Sequence, residues 1–214
     1  MTTQLTLRDF QILHALTHCV RLFSVDQIRR CWWSEVSEDS TVVRDRIRLL
    51  ARSDWVRRAS AFARPLPKIS EPLFTWQPHK PVPSFDAIAW KVQSRWAEPP
   101  KSVSVVVASN KACRRLLGRQ ARGLRQGFQT THDLGVAEVF LQFQQSRPEL
   151  APMWRGERLI AHLRRRLKVP DAVIADESLW PPKLVVEFAG AYSAQRLREF
   201  HHFCVKERLR YEIW

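Results

Sequence analysis

Long apolar runs are missing from this chain. No stretch approaches the roughly 20 residues of a membrane-spanning helix, so no membrane partner is expected. Met1 to Asp9 has neither the basic start nor the apolar core of a secretory signal, and a cytoplasmic location is expected. The four cysteines, Cys19, Cys31, Cys113 and Cys204, show no CxxC spacing, which favours free buried thiols over disulfides or zinc. His201 and His202 would point about 100° apart on a helix, and no second ligand pair accompanies His201 and Cys204. Structural histidines are therefore expected. Gly190 to Ser193 reads as a strand-to-helix turn, without a Gly-x-Ser-x-Gly elbow or a phosphate-loop lysine. Repeats and low-complexity tracts are also absent, and no small-molecule substrate is evident.

Acidic residues are scarce in one region only. The net charge is +14, and residues 61–130 carry twelve Arg/Lys against three Asp/Glu. Residues 1–60 carry ten against seven, and residues 131–214 thirteen against eleven. Nine of the fourteen excess charges thus fall in the middle third, which favours a polyanion because each neutralised phosphate releases counterions.

What is present is a folded composition, 45% hydrophobic with nine Trp and eleven Phe, long enough for one large or two small cores. Residues 5–58 hold three helical patterns. Leu7, Phe10, Ile12, Leu13 and Leu16 repeat at helical spacing behind Thr6, and Ser24 caps a short helix carrying Val25, Ile28 and Cys31. A third helix over about 41–52 turns Val43, Ile47, Leu50 and Ala51 inward. Arg44, Arg48 and Arg52 fall at i, i+4 and i+8 as an outward basic stripe, with Arg46 a further candidate DNA contact. Trp55 to Ala59 reads as a strand, and Leu73 to Trp76 as its return. Three helices and a two-stranded wing make a winged helix-turn-helix, expected over residues 1–80, whose third helix enters the major groove.

Residues 81–130 read as a connector. A helix is expected over Phe85–Trp96, then a strand over Ser102–Ala108, then a helix capped by Asn110. Lys111, Arg115, Arg119 and Arg122 lie on one side of the latter, with no acid between Asn110 and Gln129, so it is a candidate phosphate-tracking surface.

From Thr131 the expected order is a helix (133–144), strands near 159–163, 170–175 and 184–188, a helix (193–207) and a strand (210–214). This αβββαβ order over 131–214 resembles the restriction-endonuclease-like fold. Glu138 on the helix, Asp171 in a Pro-Asp pair and Glu187 at a strand end are three acids of the kind a Mg²⁺ site uses. The last two resemble the PD-(D/E)xK pattern, which implies Asp171 and Glu187 as metal ligands and Glu138 as the helix carboxylate. The pattern's lysine has no counterpart, because Ala189 stands in its place. Lys183, Lys206, Gln195 and Arg196 are substitutes to consider, but Lys183 lies about 13 Å along the strand at ~3.3 Å per residue. Lys206 sits near the far end of the final helix.

A winged helix joined to a degenerate restriction-like domain resembles the replication-relaxation family of plasmid and mobile-element proteins. The parts that carry the resemblance are Leu7–Trp55, Asp133–Phe143, Pro170–Asp176 and Val185–Tyr211. It implies an α+β or α/β chain from a bacterial cytoplasm that binds double-stranded DNA in replication, mobilisation or defence. A nuclease-like domain that has lost activity needs no cofactor; the alternative is a Mg²⁺-dependent endonuclease using Glu138, Asp171 and Glu187. A protein partner or homodimer is the third expectation, favoured if several of the tryptophans are exposed. An ammonium or guanidinium group within reach of Glu187 would separate the first two readings.

Overall fold

The computed structural model describes residues 4–38, 40–118, 129–164 and 167–214. Among these the chain is a mixture of α-helices and two β-sheets. In chain order the elements are α1 (Leu7–His14), β1 (Phe23–Ser24), α2 (Val25–Trp32), α3 (Val42–Arg52), β2 (Val56–Ala63), β3 (Phe74–Trp76), α4 (Phe85–Ser94) and β4 (Lys101–Ala108). There follow α5 (Asn110–Arg115), α6 (Gln129–Ser146), β5 (Trp154–Gly156), α7 (Glu157–Ile160), β6 (Ala172–Ile174), β7 (Leu184–Glu187), α8 (Ala194–Lys206) and β8 (Tyr211–Ile213). No helix among the described residues is long and apolar enough to cross a membrane.

The chain divides into two compact units, and neither is continuous. One comprises residues 1–63 and 100–137, the other 64–99 and 138–214. This differs from the contiguous blocks 1–80, 81–130 and 131–214 expected from sequence. The reason is strand pairing. The partner of β2 is β4, paired antiparallel from Val56↔Ala108 to Ala63↔Lys101. The segment 73–76, expected to return beside β2, instead pairs antiparallel with β8 in the other sheet. Three residues (Phe74–Trp76) offer β2 far less pairing than the eight of β4, whose Val105 and Val106 are buried.

In the first unit α1, α2 and α3 precede a three-stranded sheet of order β1-β4-β2. Local chemistry starts the first two helices. The Thr6 hydroxyl accepts from the Asp9 amide while the Asp9 carboxylate accepts from the Thr6 amide, and Ser24 and Gln27 repeat this reciprocal cap at α2. α3 buries Val43, Ile47 and Leu50, the helix-spaced stripe that its sequence predicts. α5 is capped by Ser109 rather than Asn110 and ends at Arg115, so it is shorter than the basic helix expected there.

The sheet of the second unit has the order β3-β8-β7-β6-β5. β5, β6 and β7 form an antiparallel meander, α8 crosses over, and β8 lies parallel to β7. The first strand falls at Trp154–Gly156, not near 159–163, where the chain turns into α7. Trp154 is the better strand residue because it packs edge-on against Phe140 and Phe143 of α6. Ile160 of α7 is instead buried as a helical residue in the core on the other face of the sheet. Strand alternation puts Val173, Val185, Tyr211 and Ile213 on the other face, in one core with Val92 of α4 and Leu197, Phe200 and Cys204 of α8. A sheet covered on both faces explains why Leu184 to Glu187 are all buried. Of the nine tryptophans Trp90 alone is largely exposed, at 69%. The other eight are buried or partly buried.

Candidate functional site

β7 ends at Glu187, and β6 begins just after Asp171. The two strands run antiparallel with Ala172 opposite Val186, so their acids meet at one end of the sheet. Glu187 is 1% exposed. Its Oε1 accepts hydrogen bonds from Lys168 Nζ and from the Tyr192 hydroxyl, both at 2.9 Å, and its Oε2 accepts from the Asp171 amide at 3.3 Å. Asp171 Oδ2 in turn accepts from the Phe188 amide at 2.8 Å. Arg196, one turn into α8, donates to the Tyr192 hydroxyl at 3.0 Å and lies 3.8 Å from the centre of its ring.

Lys168 is the residue that sequence reasoning missed. The position two residues after Glu187 holds Ala189, which is fully buried in the core. Lys183 pairs with Asp176 at 3.0 Å instead. The ammonium group arrives instead from the segment just before Pro170-Asp171. Its signal was Lys168-Val169-Pro170-Asp171 itself, since an antiparallel neighbour of Glu187 brings along the residues that precede it.

Burial pushes the Glu187 carboxyl above the usual carboxylate range, and the Asp171 charge adds to that; Lys168 and the Tyr192 hydroxyl oppose it. Burial likewise raises the Tyr192 phenol, which keeps it a proton donor to Glu187. The Cys204 thiol, in the same core, is raised by burial first and by Glu187 next, so it stays protonated.

Glu138 does not complete the constellation. It lies on α6, whose Phe140 and Phe143 pack against Trp154 and Trp214. By strand alternation that face is opposite the one carrying Asp171 and Glu187. No group of three His, Cys, Asp or Glu side chains among the described residues is placed to hold a metal ion. The three-acid convergence expected from sequence thus reduces to a pair, and His201 is held by the Tyr211 hydroxyl at 3.0 Å from its Nδ1. Asp171 and Glu187 still meet the minimum for Mg²⁺, which takes one or two carboxylates and keeps several waters.

The expected DNA contacts divide into two sets. Arg44, Arg48 and Arg52 are exposed on α3, with Arg48 accompanied by Asp45 one turn earlier. Arg115 is exposed at the end of α5. Arg46 is different: it pairs with the fully buried Asp9 and donates to the Gln4 carbonyl at 3.0 Å. That position ties α3 to α1 and leaves Arg46 only partly exposed. Lys111 donates to the Ser53 carbonyl at 2.6 Å and sits 4.6 Å above the Trp55 ring, which makes it an internal brace. Arg119 and Arg122 lie outside the described residues. Sequence reasoning missed Arg58, which shares a pocket with Arg44, Ser102 and Ser104, lined also by Asp26 and Glu38, beside the paired strands β2 and β4.

No protein-family model, curated protein or solved structure matches the chain.

Proposed function

We propose that this protein binds double-stranded DNA through a winged helix in its first unit, in the service of a bacterial plasmid or mobile element, as the replication-relaxation resemblance implies. The observation that carries the reading is the outward face of α3. Val43, Ile47 and Leu50 hold the helix to the core while Arg44, Arg48 and Arg52 are exposed, and β2 adds the exposed Arg57 and Arg58. Three helices precede the antiparallel β2–β4 pair, with β1 against the other edge of β4, and this arrangement supports the winged-helix assignment. Fluorescence anisotropy with a random-sequence duplex tests it. Affinity should fall by about a thousandfold or more between 50 and 200 mM salt if six or more phosphates are contacted. Arg44→Glu with Arg58→Glu should weaken binding at least tenfold. Salt-insensitive binding, or none at low salt, counts against the reading.

In this proposal the second unit is a nuclease-like module used for binding or assembly, because Glu187 is sealed by its own protein donors. One observation favours a second reading, Mg²⁺-dependent hydrolysis of a phosphodiester: an ammonium group does stand 2.9 Å from Glu187. The helix, meander, crossover helix and parallel strand order supports a restriction-like fold for either reading. Asp171 and Glu187 would hold the ion, whose chemistry is to polarise the phosphate and lower the pKa of bound water. Lys168, as an ammonium, would orient the attacking water and offset the developing negative charge. A plasmid-nicking assay in Mg²⁺ and Mn²⁺ separates the readings. The first expects no more than trace cleavage; turnover abolished by both Asp171→Ala and Lys168→Ala establishes the second.

A further inference from the structure

The exposed side of α3 is not uniformly basic. At 100° per residue, Arg44, Arg48 and Arg52 follow one edge of it, while Val42, Asp45 and Leu49 follow the other. Val42 is 52% exposed and Leu49 39%. Both line an open groove with Leu7 and Trp33. Asp45 between them accepts a hydrogen bond from Arg48 at 2.5 Å, so the only acid on this edge is matched by a cation.

Resting on the DNA-binding reading, we infer that Val42 and Leu49 contact thymine C5-methyl groups in the major groove and so set the sequence preference of this protein. Three physical points converge. The thymine methyl is the apolar feature among the base edges displayed in that groove. The residues that open a recognition helix are the ones that reach base edges, and Val42 is the first residue of α3. The apolar edge is flanked along its length by arginines, which draw a polyanion to this face in preference to a neutral protein surface. On this arrangement Arg44 and Arg48 position the backbone or take guanine, and the two aliphatic side chains discriminate thymine from the other bases.

The test uses the full chain. Preferred duplexes are selected from a random pool, and each thymine is then replaced singly by deoxyuridine, which lacks only the methyl group. At least one replacement should weaken wild-type binding about fourfold, the equivalent of about 0.8 kcal/mol per buried carbon. Val42→Ala with Leu49→Ala should bind thymine and uridine duplexes alike while keeping the wild-type salt dependence. Neither side chain belongs to the buried core, so a circular dichroism melt close to the wild type is expected for this variant. Equal affinity for every uridine duplex, with binding otherwise intact, overturns the inference and leaves the DNA reading standing. Loss of all DNA binding overturns both. Sedimentation equilibrium in the absence of DNA checks the competing occupant: a wild-type dimer made monomeric by Leu49→Ala, with no uridine effect, assigns the groove to a second copy of the chain.

Discussion

His201 shows how burial sets chemistry one residue at a time. It is 2% exposed, edge-on to Trp76 at 4.9 Å and near Phe85 at 5.2 Å. Burial, helped by His202, holds its pKa below the usual histidine value. A depressed folded pKa contributes stability that is complete above the unfolded pKa, about 6.5, and is lost as pH falls through the folded value. The melting temperature should therefore drop on acidification below about pH 6.5, and His201→Gln should flatten that drop. Parallel pH profiles for the two proteins would show that another group titrates there. The same residue-scale physics was only half legible beforehand. Asp171 and Glu187 stood out as acids in apolar runs, and they do meet. Lys168 did not, because an ammonium three residues before a turn looks like one more member of a basic tract.

At the scale of elements, α3 is tied to α1 by one ion pair. Asp9 is fully buried, caps α1 and pairs with Arg46. Burial alone would raise its pKa, but bonds from Arg46 and Thr6 win and lower it. Asp9→Ala removes a cap and leaves a cation without its partner, and should cost about 2–4 kcal/mol in a urea melt. Arg46→Ala should likewise lower stability. Arg44→Ala should change stability by no more than about 0.5 kcal/mol and weaken DNA binding instead. Equal effects of Arg44 and Arg46 on both measurements would dissolve the distinction drawn between them. Periodicity alone put both arginines on one helix and could not separate them, since the difference lies in Asp9, 37 residues away.

At the scale of the molecule, the discontinuous units make a prediction about fragments. A piece ending at residue 80 lacks β4, the central strand of the order β1-β4-β2. A piece beginning at residue 131 lacks β3 and α4, which complete the sheet edge and one side of the α8 core. Neither should show a cooperative thermal transition, because each loses a strand and its buried apolar face. A sharp, reversible melt of the 1–80 fragment would mean that the first unit does not need β4.

By itself the sequence determined what is local. Caps at Thr6, Ser24 and Ser193, helix-spaced apolar stripes and all-apolar strands depend on neighbours a few residues away, and these elements lie close to where the pattern puts them. It also determined the charge balance, which no fold can alter. Tertiary structure decided what depends on pairing between distant segments. Whether the strand at 73–76 or the one at 101–108 joins β2 turns on how many residues each can pair and bury, not on strand propensity, which both possess. Which basic side chains remain free is settled the same way, by acids and carbonyls brought up from elsewhere. Arg46 and Lys111 are spent on internal partners, Arg44 and Arg58 are left facing a pocket, and Lys168 reaches Glu187 because two antiparallel strands place their ends together.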